Sequence, residues 1–245
     1  MKVIGVIPAR YGSTRLKGKV LINIFGKPLI QHVWEKAKQA KMIDEVIIAT
    51  DSEKVKGVCQ GFGARVVLTS KDCQSGSDRI AEAVKDIQAA IIVNIQGDEP
   101  LMDPGAMDDL VKCLIKESRA SVATVIKRLE NRREVDNPNV VKVVICKDHY
   151  ALYFSRSRIP FNRDGEKFTK LLYYKHLGIY AYRKSFLIGF NKLPASRLEG
   201  IEKLEQLRIL ESGYAIKTVI TDKDSIGVDT AEDLKRVKAI LKKGV

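Results

Sequence analysis

Residues 45–69, EVIIATDSEKVKGVCQGFGARVVLT, contain the strand–helix–strand pattern that decides the fold. The apolar run EVIIATD predicts a buried strand, and SEKVKGVCQGFG predicts a short helix closed by glycine. ARVVLT then predicts a second strand. Two strands joined by a helix of this length are typical of a βαβ unit, in which the strands run parallel and helices cover the sheet.

The same alternation extends to both sides of this stretch. VIGVIPA (3–9) predicts a fully buried strand before it, and IIVNI (91–95) predicts another after it. The helices predicted around them cover residues 28–40, 79–87 and 103–118. We therefore predict an α/β fold with a mostly parallel central sheet and helices on both faces. In such sheets ligands bind at the carboxyl ends of the strands.

The pattern changes in the second half of the chain. Three β-like segments follow one another without a helix between them, which favours antiparallel additions to the sheet. Residues 201–213, IEKLEQLRILESG, predict one amphipathic helix. We expect a single domain over residues 1–245 with a small inserted β-rich lobe at about 130–185.

The composition narrows the function classes. A net charge of +13 favours a polyanionic partner, yet the basic residues are spread along the whole chain and are not interleaved with aromatic residues. A basic nucleic-acid-binding protein therefore stays as the alternative from another class. No apolar run is long enough for a membrane span and no leader pattern is present, so we expect a cytoplasmic protein.

A basic loop, RYGSTRLKGK (10–19), follows the first predicted strand directly. A glycine-containing loop at that position can turn backbone N–H groups toward an anion, and Arg and Lys side chains neutralise its charge. The loop is not a Walker A motif, because five residues separate Gly12 from Gly18 and Lys19 is followed by Val20. The alternative is a solvated loop with no ligand.

Two acidic motifs follow predicted strands. Asp98 and Glu99 in QGDEP come after IIVNI, and Asp229 in GVDTAED precedes the last helix. Carboxylates at the carboxyl edge of a sheet suit Mg²⁺, which prefers oxygen ligands. The alternatives are a turn acid before Pro100 and a helix N-cap at Asp229, with Glu232 completing a capping box. The four cysteines and three histidines show no zinc spacing, so any metal is expected on carboxylates.

Two further sets of polar residues are candidates for ligand binding. The loop QSGSDR (74–79) either caps the next helix, through Ser77 or Asp78, or contacts a base or phosphate. His176 in an apolar strand is an ordinary structural histidine if taken alone. Together with Arg156, Tyr180 and Glu205 it suits a polyhydroxylated acid, because Arg binds a carboxylate through a two-pronged hydrogen bond.

The motifs taken together resemble one family. IPARYGSTRLKGK, QSGSDR, NIQGDEP, ALYFSRSRIP, HLGIYAYR, LEQLR and GVDTAEDL occur in the order seen in the 3-deoxy-manno-octulosonate (Kdo) cytidylyltransferases, the CMP-Kdo synthetases. The resemblance runs from Val3 to Leu234. It departs from the family's usual RLPGKPL at Lys17 and Val20, which replace two prolines, and we expect the unbound loop to be more flexible for that reason.

The resemblance implies a Rossmann-like nucleotidyltransferase fold, a homodimer and an Mg²⁺-dependent enzyme. Such an enzyme converts CTP and Kdo to CMP-Kdo and pyrophosphate for lipopolysaccharide biosynthesis, and the inserted lobe would contribute to sugar binding and dimerisation. A synthetase for the 8-amino analogue of Kdo is the alternative within the class. No nucleic-acid or membrane partner is implied.

The resemblance also implies roles for particular residues. The catalytic residues would be Arg10, Arg15, Lys19, Asp98 and Asp229, of which Asp98 and Asp229 would hold the metal. The CTP-binding residues would be Ala9, Arg10, Ser13, Arg15, Lys19, Gln74, Ser75, Gly76 and Arg79. The sugar-binding residues would be Gln96, Arg156, His176, Tyr180, Glu205 and Gln206.

Overall fold

A computed structural model describes residues 1–12, 16, 18–168, 172–190 and 192–243 of the chain. Ser13 and Arg15, two of the predicted CTP-binding residues, and Lys17 lie outside this set.

The strands are β1 (Val3–Ala9), β2 (Asn23–Ile24), β3 (Lys27–Pro28), β4 (Glu45–Thr50), β5 (Arg65–Leu68), β6 (Ile91–Asn94), β7 (Val122–Arg128), β8 (Lys142–Ile145), β9 (Ala151–Ser155), β10 (Tyr174–Arg183) and β11 (Ile216–Thr221). The helices are α1 (Leu29–Ala37), α2 (Glu53–Gly61), α3 (Gly76–Ala83), α4 (Pro104–Lys116), α5 (Arg132–Asp136), α6 (Lys184–Phe190), α7 (Arg197–Glu202), α8 (Gln206–Glu211) and α9 (Ala231–Lys243).

One sheet organises these elements, with strand order β11-β7-β10-β6-β1-β4-β5. The pairs β5–β4, β4–β1, β1–β6 and β7–β11 are parallel. Only β10 among these strands runs in the opposite direction, between β6 and β7. The predicted fold class, a mostly parallel sheet covered by helices, is confirmed.

The first strand lies where the strand order reverses. The chain moves from β1 to β4 and β5 on one side, and it returns to place β6 on the other side. The loops that leave β1 and β6 therefore separate above the sheet and open a crevice at its carboxyl edge. The basic loop and the QGDEP motif follow these two strands, so the topology brings them together.

Apolar side chains cover both faces of the sheet. On β1, Val3 and Ile7 belong to one buried cluster, whereas Ile4 and Val6 belong to the other. The first cluster receives Val33 of α1, Cys59 of α2 and Leu110 of α4, and the second receives Ile80 of α3, Leu187 of α6 and Leu207 of α8. A strand buried on both faces has no polar alternation, which explains the unbroken apolar run.

The segment predicted as an inserted lobe is continuous with the sheet. β8 pairs with β10 near Tyr174 and with β9 on its other side, both antiparallel. β10 itself is a central strand, because it pairs with β6 and β7. Within the described ranges, no helix is long and apolar enough to cross a membrane.

The amphipathic helix predicted over residues 201–213 is wrong as a single element. The structure has α7 and α8 in its place, separated at Lys203. Lys203 adopts a left-handed conformation (φ 54°) that ends α7. This turn places Glu205 and Gln206 at the start of α8, facing the sheet.

Candidate active site

A cleft of about 360 Å³ lies above the carboxyl ends of β1 and β6. Both predicted charge types meet in it, since Arg10 and Lys19 face Asp98 and Asp229. Its described lining also includes Pro8, Gly12, Val20, Gly76, Gln96 and Gly97. The sequence prediction that the basic loop and the two acidic motifs share one site matches this arrangement.

The Lys19 ammonium lies between the two aspartates. Its Nζ donates a short hydrogen bond to Asp98 Oδ2 and another, of 2.9 Å, to Asp229 Oδ1. Burial lowers the pKa of Lys19, but the charges of both carboxylates and their hydrogen bonds outweigh this and raise it above the ordinary value. The lysine is therefore a fully charged counter-ion for the pair.

Backbone contacts fix where Asp98 and Asp229 stand. A side chain at Gly97 would place its Cβ 2.8 Å from the Pro8 carbonyl oxygen, so glycine is what allows the β6 loop to lie against the end of β1. Val228 donates its backbone N–H to the Asp98 carbonyl at 2.9 Å. This bond holds Asp98 beside Asp229, which follows Val228 in the chain.

Asp229 is not the N-cap of the last helix, contrary to the alternative considered from the sequence. Thr230 accepts the Asp233 N–H at 3.1 Å, and Asp233 accepts the Thr230 N–H at 2.9 Å. This reciprocal pair is a capping box set one residue later than the sequence pattern indicates, and it uses Asp233 instead of Glu232. The Asp229 carboxylate is directed to Lys19.

The donor set fits Mg²⁺. Two carboxylates from separate loops converge on one cationic nitrogen, and Mg²⁺ is held in proteins by one or two carboxylates with water and phosphate oxygens as further ligands. No group of three or more His, Cys, Asp or Glu side chains is arranged for a metal within the described ranges. Asp98 and Asp229 remain the two carboxylates predicted from the sequence to hold a metal, and both contact the Lys19 ammonium.

Glu99 follows Asp98 in the chain, but its carboxylate bonds a different segment. Ser225 Oγ donates to Glu99 Oε2 at 2.7 Å. Burial, together with the nearby Asp98 charge, raises the pKa of Glu99 to about 7. The glutamate joins the β6 loop to the segment that leads to Asp229.

The loop before α3 faces the same cleft. Arg10 Nη2 donates to the Cys73 carbonyl at 3.0 Å, which ties the basic loop to this second loop. Ser75, and neither Ser77 nor Asp78, is the N-cap of α3, with Asp78 completing the capping box. Gly76 is the first residue of α3 and lines the cleft, so the N-terminal end of this helix lies beside it.

Other predicted CTP-binding residues are placed differently. Arg79 is 0% exposed, and its guanidinium donates to Asp51 at 2.8 Å and to Thr69. It joins the ends of β4 and β5 beneath the loop, so it positions the loop and does not line the cleft. Ala9, Gln74 and Ser75 are also outside the described lining, with Gln74 Nε2 bonded to the Asp72 carbonyl at 2.9 Å.

A second cleft of about 210 Å³ adjoins the first between β10 and α8. Gln96 lines both clefts and donates to the Gly178 carbonyl at 3.1 Å. The structure brings five of the six predicted sugar-binding residues into this cleft, namely Gln96, His176, Tyr180, Glu205 and Gln206.

Aromatic and neutral groups form the floor of the second cleft. Burial lowers the pKa of His176 to about 3, so the imidazole is neutral. Its Nε2 lies 2.9 Å from Thr124 Oγ1, within hydrogen-bonding distance. The Tyr180 ring lies against the imidazole, with centroids 5.2 Å apart, and burial keeps the pKa of Tyr180 well above its ordinary value.

Two buried polar atoms around this cleft, Glu205 Oε1 and Gln206 Nε2, have no hydrogen-bonding partner within the described structure. The other Glu205 oxygen accepts from Ser77 Oγ at 2.9 Å, and burial raises the pKa of this carboxyl. Because an unsatisfied buried polar group costs about 1–3 kcal/mol, such atoms mark a place where a polar ligand completes the bonding.

Arg156 is not part of the cleft lining. Its guanidinium donates to the carbonyls of Glu202 at 2.8 Å and Pro138 at 3.1 Å, and its backbone N–H donates to the Glu202 carboxylate at 2.9 Å. It therefore braces the turn at Lys203, which does line the cleft. The predicted contact between Arg156 and the sugar carboxylate stays a prediction, and the described partners of the guanidinium are these backbone carbonyls.

Sequence reasoning missed several residues of the second cleft. Tyr182 and Lys203 line it, Ser77 bonds Glu205 and Thr124 bonds His176 in its walls, and Asn94 lies opposite Tyr180 on β6. Period-two alternation along β10 could have indicated Tyr182, since it shares a face with Tyr180. Nothing local to Lys203 announces its left-handed turn, which depends on Arg156.

Comparisons with known proteins agree with this geometry. The family model described as Cytidylyltransferase matches residues 4–223. A 3-deoxy-manno-octulosonate cytidylyltransferase of Solibacter usitatus is 50% identical over 100% of this chain and 96% of its own. Another, of Geotalea uraniireducens, is 47% identical over 99% of this chain and 100% of its own. This chain belongs to that cytidylyltransferase family.

Solved structures place this cytidylyltransferase in the same fold. A CMP:2-keto-3-deoxy-manno-octonic acid synthetase complexed with CTP superposes with a TM-score of 0.95, at 41% identity and with 100% of both chains covered. A cytidylyltransferase of Leptospira borgpetersenii has a TM-score of 0.67 at 20% identity, over 99% of this chain and 87% of its own, and shows the fold alone. The resemblance stated from the sequence is confirmed.

Proposed function

We propose that this cytidylyltransferase couples CTP to Kdo, giving CMP-Kdo and pyrophosphate for lipopolysaccharide biosynthesis. The observation that carries the proposal is the junction of two clefts at Gln96, one lined by cations and carboxylates and the other by unsatisfied polar groups. The names of the relatives and the CTP bound to the similar synthetase support it.

The first cleft is suited to the nucleotide triphosphate. Arg10 and Lys19 place positive charge at the carboxyl edge of the sheet, where the phosphates would be held against their mutual repulsion. The same charges stabilise pyrophosphate as it leaves, which is the main catalytic requirement of phosphoryl-type transfers. No nucleophilic side chain is required, because the sugar hydroxyl attacks the α-phosphorus in line.

Asp98 and Asp229 would hold Mg²⁺, the proposed cofactor. The chemistry that Mg²⁺ supplies when bound there is charge neutralisation and Lewis-acid polarisation of a phosphoryl oxygen. The two carboxylates would hold the ion between separate loops, which are joined by the backbone bond from Val228 to Asp98.

The second cleft would bind and orient the sugar. Glu205 Oε1 accepts from a sugar hydroxyl, and Gln206 Nε2 donates to one, so each unsatisfied atom gains a partner. Gln96 stands at the junction, where the anomeric hydroxyl must meet the α-phosphate. Orientation of the two reactants at one point supplies much of the rate increase in such reactions.

Two finer features belong to the same proposal. We propose a homodimer in the cytoplasm, on the strength of the family resemblance. Static light scattering on the purified protein tests the first feature, because a dimer has twice the mass of the 27.4 kDa chain.

Pyrophosphate release tests the proposed function. The purified protein is supplied with CTP, ATP, GTP or UTP and with Kdo, 8-amino-Kdo or sialic acid as acceptor. We expect release with CTP and Kdo, and much less with every other pairing. Preference for 8-amino-Kdo would reassign the acceptor within the class, and no release from CTP with any acceptor would overturn the proposal.

A further inference from the structure

Lys19 stands where a metal ion shared by Asp98 and Asp229 would stand. Its ammonium contacts one oxygen from each carboxylate. An Mg²⁺ ion bound to the same oxygens would lie about 2.0–2.1 Å from each. Lys19 and the ion would then be two cations a few ångström apart, with strong mutual repulsion in a partly buried site. Joint occupancy of these two oxygens by the ammonium and the ion is therefore unfavourable.

The structure also shows how Lys19 can leave without unfolding the loop. Gly18, which precedes Lys19 and has φ 67°, donates its N–H to the Tyr11 carbonyl at 3.1 Å. Val20, which follows Lys19, is buried. The Leu21 N–H donates to the Gly18 carbonyl at 2.9 Å. The backbone around Lys19 is thus anchored on both sides. The four-carbon side chain can redirect its ammonium by rotamer changes alone.

We propose that Lys19 is an internal counter-ion that holds the Asp98–Asp229 pair in the free protein and must be drawn away before a divalent ion binds there. A triphosphate entering the first cleft supplies the alternative anion for the ammonium. The free protein accordingly has low affinity for the ion, and metal and nucleotide bind as a set. The inference rests on the proposed metal role of the pair and deepens it.

The exchange has a quantitative consequence. If the pair is available to a metal only in the fraction of molecules whose Lys19 has moved, the apparent dissociation constant equals the intrinsic one divided by that fraction. An available fraction of about one tenth or less weakens metal binding by about tenfold or more. Removal of the ammonium must then increase the metal affinity of the free protein.

Mn²⁺ binding to the nucleotide-free protein tests this, with free Mn²⁺ measured by its electron paramagnetic resonance signal. Lys19→Met is expected to bind Mn²⁺ at least about tenfold more tightly than the unsubstituted protein. Lys19→Gln, of similar length, is expected to behave in the same way and provides a second variant if the first is unstable.

Two controls locate the effect. Lys54→Met removes the same charge from a lysine that bonds Tyr11 Oη at 3.2 Å and does not touch the pair, so it is expected to leave Mn²⁺ affinity within about twofold. The double variant Lys19→Met with Asp229→Asn is expected to lose the gained affinity. Circular dichroism on each variant verifies that it is folded.

Unchanged or weaker Mn²⁺ binding in folded Lys19→Met would overturn the inference. An equal gain in Lys54→Met, or a gain that persists in the double variant, would overturn it as well. These failures differ from failure of the proposed function, which is judged by pyrophosphate release from the unsubstituted protein.

Discussion

Asp98 and Asp229 are far apart in the sequence, yet they contact one ammonium group. In the proposed reaction each would hold the Mg²⁺ that neutralises the triphosphate. Asp98→Ala or Asp229→Ala is expected to lower turnover at saturating Mg²⁺ by at least about 100-fold, equivalent to about 2.7 kcal/mol of barrier. Pyrophosphate release under saturating substrates measures it.

The matched control is Asp109→Ala. Asp109 is an exposed carboxylate of α4 that pairs with Lys112 one turn away, so its loss should leave turnover within about twofold. Near-normal turnover in either Asp98→Ala or Asp229→Ala would remove that residue from the metal site.

Gln206 illustrates how an unsatisfied group links stability to binding. Its side chain is 6% exposed and Nε2 has no hydrogen-bonding partner within the described structure. Gln206→Met keeps the length and removes the buried donor, so it is expected to increase the free energy of unfolding by about 1 kcal/mol. The KM for the sugar should rise at least about tenfold, since the donor proposed to bind the sugar is lost, while the KM for CTP stays unchanged.

Urea unfolding of the free protein and initial-rate kinetics measure the two effects. Gln60→Met on the exposed face of α2 is the control and should change neither quantity. A Gln206→Met variant that is less stable, with an unchanged sugar KM, would show that the amide has a structural partner.

At the scale of secondary-structure elements, the β6 loop depends on close approach to β1. Gly97→Ala would bring a Cβ to 2.8 Å from the Pro8 carbonyl oxygen, so the loop must shift. The expected cost is about 1–3 kcal/mol of unfolding free energy, with a loss of turnover because Asp98 moves with the loop. Gly57→Ala inside α2 meets no atom within 4 Å, and it should stabilise the protein by about 0.5–1 kcal/mol.

Urea unfolding and pyrophosphate release are measured on both glycine variants. Equal stability of Gly97→Ala and the unsubstituted protein would mean that the two loops are not in tight contact.

The turn between α7 and α8 depends on Arg156, which lies in a different part of the chain. Its guanidinium binds the Glu202 carbonyl beside left-handed Lys203. Arg156→Ala is expected to raise the sugar KM. It should also lower the midpoint temperature of the unliganded protein by several degrees, because the hydrogen bonds that hold the left-handed turn in place are lost. Calorimetry and kinetics provide the two readouts.

Arg156→Lys should not restore either property, since one ammonium cannot reproduce the planar set of donors. A higher sugar KM without any fall in the midpoint temperature would instead favour direct contact between Arg156 and the sugar.

At the scale of the whole molecule, buried ionisable groups link stability to pH. His176 has an ordinary pKa of 6.5 that burial lowers to about 3. Between these values the unfolded chain binds a proton that the folded protein does not, so this residue makes the folded state less stable as pH falls. Glu99, whose pKa is raised from 4.5 to about 7, acts in the opposite sense, because its protonated folded form is lost as pH rises through that window.

A comparison of variants isolates the contribution of His176 to the pH dependence of stability. His176→Gln is expected to reduce the loss of unfolding free energy between about pH 6.5 and pH 4.5 by an amount approaching 1.4 kcal/mol per pH unit. Urea unfolding across this range measures it. The exposed His149, replaced as His149→Asn, should retain the original slope, and an unchanged slope in His176→Gln would contradict the buried neutral imidazole.

Much of the fold and part of the site could be predicted because the signals are local. Apolar runs predict β1 and β4 with their observed starts, and alternation with helices predicts a parallel sheet. The topology rule then places the loops after β1 and β6 at one edge, so the approach of Lys19 to Asp98 follows from sequence order and general rules of sheet construction. Asp229 lies on neither loop, and it joins them through the tertiary backbone bond from Val228 to Asp98.

Other features were decided only by tertiary contacts. Apolar residues recur on both sides of Lys203, so the break there leaves no local signal, although Leu207 packs against the second core and Ile201 is exposed. Thr230 caps α9 in place of Asp229, Arg79 turns inward to Asp51, and Arg156 turns to backbone carbonyls. The chain alone sets the kinds of side chain and their periodicity. Which partner each polar group finds depends on strands and loops brought close by folding, since a buried hydrogen bond is satisfied by whatever lies within about 3 Å.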